Sequence, residues 1–133
     1  MTVFDPASLP DEVLTFMSEP HLATLSIPRV DGAPHVTPVG FTWDARAGLA
    51  RVITWSSSKK YRLVEQQPTA VTLCQVDGAR WLTLEGQALA TTNPTRCAQG
   101  TDRYAERYRP PAIKPDRAVI EIAVSRIMGR ARP

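Results

Sequence analysis

Thr54, Ser56, Ser57, Ser58, Lys59 and Lys60 gather four hydroxyls and two ammonium groups where the β-branched run at residues 51–55 gives way to a helical pattern. The chemistry such residues do is anion capture. N–H groups at a helix N-terminus lack intrahelical partners and stand at the positive end of the macrodipole, so a phosphate docked there is stabilised before any side chain contributes. Hydroxyls and lysines add charge-assisted hydrogen bonds. The same residues also read as a plain helix start, with Ser57 or Ser58 capping a helix through residues 61–65 and the lysines on its solvated surface. The sequence leaves both readings open. It excludes two phosphate motifs, because neither G-x-x-x-x-G-K-[ST] nor G-x-G-x-x-G occurs.

Other chemistry has less to work with. His21 and His35 are the only histidines and show no metal-ligand spacing, which argues against a zinc centre. No G-x-S-x-G elbow accompanies the serines. Cys74 and Cys97 lie in unlike contexts without a C-x-x-C pair and read as reduced, buried thiols. Trp55 and Trp81 flank polar turns, where an indole stacks on a planar ring as readily as it packs in a core. Tyr104 and Tyr108 share a helical stripe among Arg103, Arg107 and Arg109, which suits either packing or an acidic ligand.

The elements that must position these groups follow from periodicity and breakers. Ser8, Pro10, Asp11 and Glu12 predict a helix start ahead of Val13, Phe16 and Met17, with an end near Pro20. Ala23, Leu25 and Ile27 alternate in a strand over 21–27, and Asp31-Gly32 turns it into a second strand over 34–42. A third strand, 49–55, feeds the short basic helix that Pro68 ends. Strands 70–76 and 80–90 meet at Asp77-Gly78, with Leu82, Leu84, Gly86 and Ala88 on one face. Asn93-Pro94 opens a third helix through Cys97, Thr101, Tyr104 and Tyr108, which Gly100 weakens by about 1 kcal/mol relative to alanine. A last strand, 118–124, turns Ile120, Ile122 and Val124 inward and Glu121 outward. Six antiparallel strands and three short helices predict a mainly β fold, a small barrel plugged by helices, as one domain over 1–133.

With 133 residues, 43% hydrophobic and 22% charged, the chain matches a globular domain small for enclosing both a cofactor and a substrate. A second copy would supply the missing walls. A net charge of +3, with scattered basic residues, gives nucleic-acid binding no support. No secretory signal or membrane-length apolar stretch occurs, so a cytoplasmic protein is expected.

Several segments carry a resemblance over nearly the full length. The leading helix, the Ala-Thr-Leu strand, the Asp-Gly-Ala-Pro-His-Val turn at 31–36 and Thr54-x-x-x-Ser58-Lys59-Lys60 with Pro68 resemble the flavin-binding split β-barrel family of pyridoxamine 5′-phosphate oxidases. Residues 75–86 (QVDGARWLTLEG) and 103–109 (RYAERYR) resemble its actinobacterial branch that uses the deazaflavin coenzyme F420, in particular the biliverdin reductases. The resemblance implies a homodimer with the cofactor in an interface groove. It implies that Thr54, Ser56, Ser57, Ser58, Lys59 and Lys60 hold the phosphate, that the backbone of Pro38, Val39 and Gly40 runs along the ring, and that Gln75 and Trp81 approach from the partner chain. The implied activity is hydride transfer from reduced F420 to a planar conjugated small molecule such as biliverdin, with Arg80, Arg107, Arg109 and Lys114 as cations for its propionates. No protein acid or base is then required. The alternatives are an FMN-dependent oxidase or reductase and a non-catalytic flavin or haem carrier. Lysine at 59, where the oxidases commonly carry arginine, and an end at Pro133 both depart from the oxidase pattern.

Overall fold

A computed structural model describes residues 1–132; Pro133 lies outside them. The elements are β1 (Thr2–Phe4), α1 (Asp11–Ser18), β2 (Ala23–Pro28), β3 (Pro34–Val39), β4 (Thr42–Asp44), β5 (Leu49–Trp55), α2 (Lys59–Val64), β6 (Thr69–Asp77), β7 (Arg80–Thr91), α3 (Pro94–Arg107) and β8 (Arg117–Arg130). All eight strands join one antiparallel sheet in the order β3-β2-β6-β7-β8-β5-β4, with β1 paired to β8. The fold is mainly β, as expected, with eight strands in place of six.

The differences have local causes. β1 is three residues long, too short to show alternation, and exists because it pairs with Ile127, Met128 and Gly129. The run predicted as one strand over 34–42 breaks at Gly40, so that Thr42–Asp44 turns onto β5 as the edge strand β4. β8 continues six residues past the predicted end, because Ser125 is an extra residue between the pairs Gly86↔Val124 and Glu85↔Arg126. That bulge leaves Ser125 and Arg126 both exposed, and the period of two, the only sequence signal, is lost there. Ser8 is not the cap of α1; Pro10 is, without a side-chain bond, and Asp11 and Glu12 supply the acidic first turn.

The core follows the alternation. Leu25 and Ile27 on β2, Leu73 on β6, Leu82 and Leu84 on β7 and Ile120 and Ile122 on β8 are completely buried. α1 closes this core with Val13, Phe16 and Met17, each at most 3% exposed. Burying Phe16 alone contributes about 1.5 to 3 kcal/mol. Glu121 does not face outward to solvent as predicted. α3 covers that face of β8, and the 7% exposed Glu121 accepts from Arg96 while its other oxygen lies 3.7 Å from Arg51 Nε. The same covering explains Gly100, since a Cβ there would meet Ile53 Cγ2 and Val119 Cγ2 at 3.0 Å. Its helix-propensity cost is accepted for close packing. Cys97 is buried, Cys74 half-buried, and neither forms a disulfide.

Candidate functional site

β5 delivers Val52 and Thr54 to the interior and ends on Trp55, which is 37% exposed. The turn that follows spends its inner hydroxyls on itself. Thr54 Oγ1 and Ser58 Oγ lie 2.7 Å apart, and Ser58 Oγ accepts from the Tyr61 N–H as the cap of α2. Thr54 is fully buried and Ser58 is 6% exposed, so these two hydroxyls shape the turn from beneath. The Ser56 N–H donates to Asp116 O at 2.9 Å. Ser57 and Lys59 are exposed at the lip, whereas Lys60 turns inward, its ammonium 5.0 Å from the Trp55 ring centroid. Lys114 approaches the same indole at 4.7 Å. Burial lowers the Lys60 pKa from its ordinary value.

Trp55, Lys60 and Lys114 wall a groove of about 330 Å³, with Ile53 beside them; Thr54, Ser56, Ser57, Ser58 and Lys59 are not in its lining. Its opposite side is the backbone of Pro38, Val39 and Gly40, and its far end is built by Tyr104 and by the loop that carries Arg109 to Lys114. Among the described residues four cations line it, Lys60, Arg109, Lys114 and Arg117, and no carboxylate does. Among the described residues none of the four sits in an ion pair. Arg117 donates instead to two carbonyls, Thr54 O at 3.2 Å and Ala112 O at 2.5 Å. A charged cavity wall without counter-charge leaves its field for a ligand.

Gly40 is required at the Pro38–Gly40 wall. A Cβ would lie 2.9 Å from Tyr104 Cε2 and 3.0 Å from Tyr108 Cε2. Tyr108 cannot retreat easily, because its hydroxyl donates to His21 O at 2.7 Å and accepts from the Phe41 N–H at 3.2 Å. Burial raises the Tyr108 pKa, which keeps that donor protonated. Beneath it Arg107, only 8% exposed, donates to Glu19 O at 2.8 Å, Phe41 O at 2.5 Å and Gln75 Oε1 at 2.5 Å. Gln75 Nε2 in turn donates to Phe16 O at 3.0 Å. Burial lowers the Arg107 pKa, yet its three oxygen partners and the Phe41 and Tyr108 rings keep the cation satisfied.

Of the residues singled out in the sequence, the fold therefore brings Pro38, Val39, Gly40, Trp55, Lys60, Tyr104, Arg109 and Lys114 together around one space, and leaves Ser56, Ser57 and Lys59 outside its lining. Two expectations need correcting. Gln75 is completely buried in the Arg107 network and has no surface to offer a partner chain. Arg107 is held by the same network, and Arg80 is bound to Glu19 at 2.9 Å and Asp77 at 2.6 Å, so neither is a free cation for a substrate. Trp81 is half-buried beside the β6–β7 turn, opposite Val76, away from the groove of its own chain. Tyr104 and the proline-rich run after α3 complete the groove; the signal available in the sequence was Arg109, Lys114 and Arg117 interleaved with Pro110, Pro111 and Pro115.

A larger cavity of about 550 Å³ lies between α1, β4 and α3. Arg103 there faces Asp44 at 3.1 Å, and Asp44 also accepts from Arg51 at 2.8 Å. Burial raises the Asp44 pKa, but those guanidinium groups and the Ala47 N–H outweigh it and hold the carboxyl below its ordinary value. With its main charges partnered, this cavity offers an anion less than the smaller groove does.

The model of the family described as pyridoxamine 5′-phosphate oxidase matches residues 9–130. The F420H(2)-dependent biliverdin reductase of Mycobacterium tuberculosis (strain CDC 1551 / Oshkosh) is 46% identical over 123 residues, covering 92% of this chain and 89% of that protein. Among solved structures, an F420 reductase superposes with a TM-score of 0.71 at 26% identity, over 90% of this chain and 98% of the other. A conserved hypothetical protein from Mycobacterium tuberculosis reaches 0.77 at 21% identity, over 94% and 86%, and shows the shared fold. The sheet order, the groove beside β3 and β5 and a match across nearly the whole chain lead to one assignment: the protein belongs to the pyridoxamine 5′-phosphate oxidase family of split β-barrels.

Proposed function

We propose that the protein is an F420-dependent oxidoreductase, one unit over residues 1–133, that delivers a hydride from the reduced deazaflavin to a planar conjugated acceptor, with biliverdin as the best candidate. The observation that carries this reading is the groove with four cations and no acid. Coenzyme F420 bears a phosphate and a tail of glutamate carboxylates, and such an anion is what that wall stabilises. The similar mycobacterial protein is named for the same coenzyme and acceptor.

In this reading Lys60 holds the phosphate, helped by Ser56, Ser57 and Lys59 at the lip, while Thr54 and Ser58 fix the turn that presents them. The Pro38–Gly40 backbone would run along the ring, and Gly40 keeps Tyr104 and Tyr108 within contact of that strip. When bound, the coenzyme supplies the hydride at C5. The chain binds, orients and excludes water, so much of the rate comes from positioning. The lining holds no histidine or carboxylate, which fits a reaction whose proton comes from solvent.

Two chains would complete the groove. Pro38 at its wall begins a row across the sheet, Pro38↔Thr24↔Cys74↔Thr83↔Met128↔Val3, without a charged side chain. Val36, Val76 and Val3 are each more than half exposed. A partner laid on this face would bury them and bring its Trp81, two residues from Thr83, toward the groove. Light scattering should then give twice the 14.7 kDa chain mass, and Thr83→Arg should halve it. No helix among the described residues is long and apolar enough to cross a membrane; a cytoplasmic setting belongs to the same proposal.

The deciding experiment titrates the apo-protein with F420 and, separately, with FMN at matched salt, followed by fluorescence. Preference for F420 in the micromolar range or tighter, and oxidation of the reduced coenzyme on adding biliverdin, is the expected result. Preference for FMN would move the protein to the oxidase side of its family. Tight coenzyme binding without turnover on any conjugated acceptor would make it a carrier.

A further inference from the structure

The loop between α3 and β8, residues 109–116, is a strap with space on both sides. On one side is the cationic groove; on the other is a cavity of about 410 Å³ floored by Thr101, Asp102 and Ala105 of α3. Pro110, Pro111, Ala112, Lys114 and Arg117 line both, so the partition is a single chain thick. It is stiff although exposed. Pro110, Pro111 and Pro115 restrict its backbone, and Arg117 fastens Ala112 O and Thr54 O with one guanidinium. The Arg117 N–H donates to Lys114 O at 3.2 Å, and the Ser56 N–H donates to Asp116 O at 2.9 Å. At its crest Ile113 is 99% exposed.

The part of the groove that one chain forms does not by itself hold both reactants. About 330 Å³ lies at the bottom of the range that single small ligands occupy, and it must take the coenzyme ring and the reacting part of the acceptor together. A large acceptor extends beyond this part of the groove, and the adjoining space of comparable size on the same chain lies across the strap. Its chemistry fits the same kind of molecule. Ile113, Ala105, Pro111 and Ala112 offer an apolar surface, and the cations Lys114 and Arg117 outnumber the lone acid Asp102.

We propose that the cavity between the strap and α3 is a second acceptor subsite, in which the distal part of an extended, conjugated carboxylic acid lies across Ile113 and against Ala105 while its carboxylate meets Lys114 at the crossing. The inference rests on the reading of the groove as the coenzyme and hydride-transfer site. It assigns Ile113 and Ala105 the role of selecting acceptor size, and it leaves small acceptors indifferent to both.

The test uses the full chain, biliverdin as the extended acid and a naphthoquinone as the small acceptor, with Ala105→Phe to fill the cavity and Ile113→Ser to strip the crest. Biliverdin binding is followed by its absorbance, with oxidised F420 present and absent, so that no turnover is needed. Ala105→Phe should weaken biliverdin binding about tenfold and Ile113→Ser severalfold, as lost apolar contact predicts. F420 affinity and naphthoquinone turnover should stay within about twofold of the unsubstituted protein, the scatter expected of remote sites. Unchanged biliverdin binding in both variants would overturn the subsite, as would equal losses with the naphthoquinone, or a change in molar mass for Ile113→Ser that places this residue in a subunit interface. Failure of F420 to bind, with biliverdin binding still sensitive to both substitutions, would remove the coenzyme reading and leave the subsite standing.

Discussion

Replacing Gln75 with leucine separates a residue that holds the groove wall from one that touches a ligand. Leucine nearly matches the volume, so the substitution removes hydrogen bonds without leaving a large hole. Two bonds go. Phe16 O loses the Gln75 amide at 3.0 Å, and Arg107 Nη2 loses an acceptor at 2.5 Å in a site where the arginine is only 8% exposed. A buried neutral acceptor left alone costs about 1 to 3 kcal/mol, and a buried cation deprived of one of three partners costs a similar amount or more. The expected loss is about 2 to 5 kcal/mol. For a chain of this size that lowers the melting temperature by roughly 3 to 5 °C per kcal/mol. Urea unfolding followed by tryptophan fluorescence measures the loss directly. Coenzyme affinity of the folded fraction should change no more than a few-fold, because Gln75 has no exposed surface and acts only through Arg107 on Phe41 O. A variant as stable as the parent that had lost tenfold or more in coenzyme affinity would refute this reasoning and return Gln75 to the ligand.

Lys60→Ala should weaken coenzyme affinity by about 1 to 3 kcal/mol, most strongly at low salt, in a fluorescence titration. Because burial depresses its pKa, the Lys60 contribution is lost as pH rises through a value below the ordinary 10.5; a titration of affinity against pH on parent and variant reads the difference. Asp44→Asn leaves Arg51 facing a neutral group in a buried site and should cost about 3 kcal/mol at pH 7 by urea unfolding. The Asp44 carboxyl is held below 3.8 in the fold, so its stabilising effect is present above that value and is lost as pH falls through the folded pKa; parent and variant should converge under those acid conditions. Gly40→Ala should destabilise by about 1 to 3 kcal/mol through overpacking against Tyr108, and a second change, Tyr104→Ala, should recover part of that loss in a double-mutant cycle.

Much of the architecture was legible from local signals. Alternation placed Leu25, Ile27, Leu82 and Leu84 in the core, Asp-Gly pairs marked two hairpins, and Asn93-Pro94 opened α3 with the Asn93 side chain accepting from the Arg96 N–H. Each of these depends on the geometry of a few neighbouring residues, which the sequence states directly. The departures came where distant segments meet. The bulge at Ser125 broke the period that would have extended β8, and β1 exists only because β8 offers it an edge. Glu121 reads as an outward residue until α3 is laid over it. Even the glycine that seemed to weaken α3 turned out to be a contact residue against Ile53 and Val119.

The candidate site divides in the same way. Residue types and spacing at 54–60 offered anion capture and a plain capped helix start as equal readings, because hydroxyls and ammonium groups serve either. Which of them face the groove was not encoded locally: the turn after β5 pairs the Thr54 and Ser58 hydroxyls with each other and sets Lys60 in the groove lining. Gln75, a polar residue in a strand, gave no sign that Arg107, 32 positions away, would claim its oxygen. Arg109 and Lys114 were named beside Arg80 and Arg107 with nothing in the sequence to separate them; the strap sets the first two, with Arg117, beside Lys60 with no acid in the lining, whereas the fold spends Arg80 and Arg107 on other partners. Near-neighbour patterns in the chain were sufficient for the fold class and narrowed the chemistry at 54–60 to two readings. Only the tertiary structure decided which polar groups are spent on holding the fold and which remain for a ligand, because a buried donor or acceptor must find its partner wherever in the chain that partner lies.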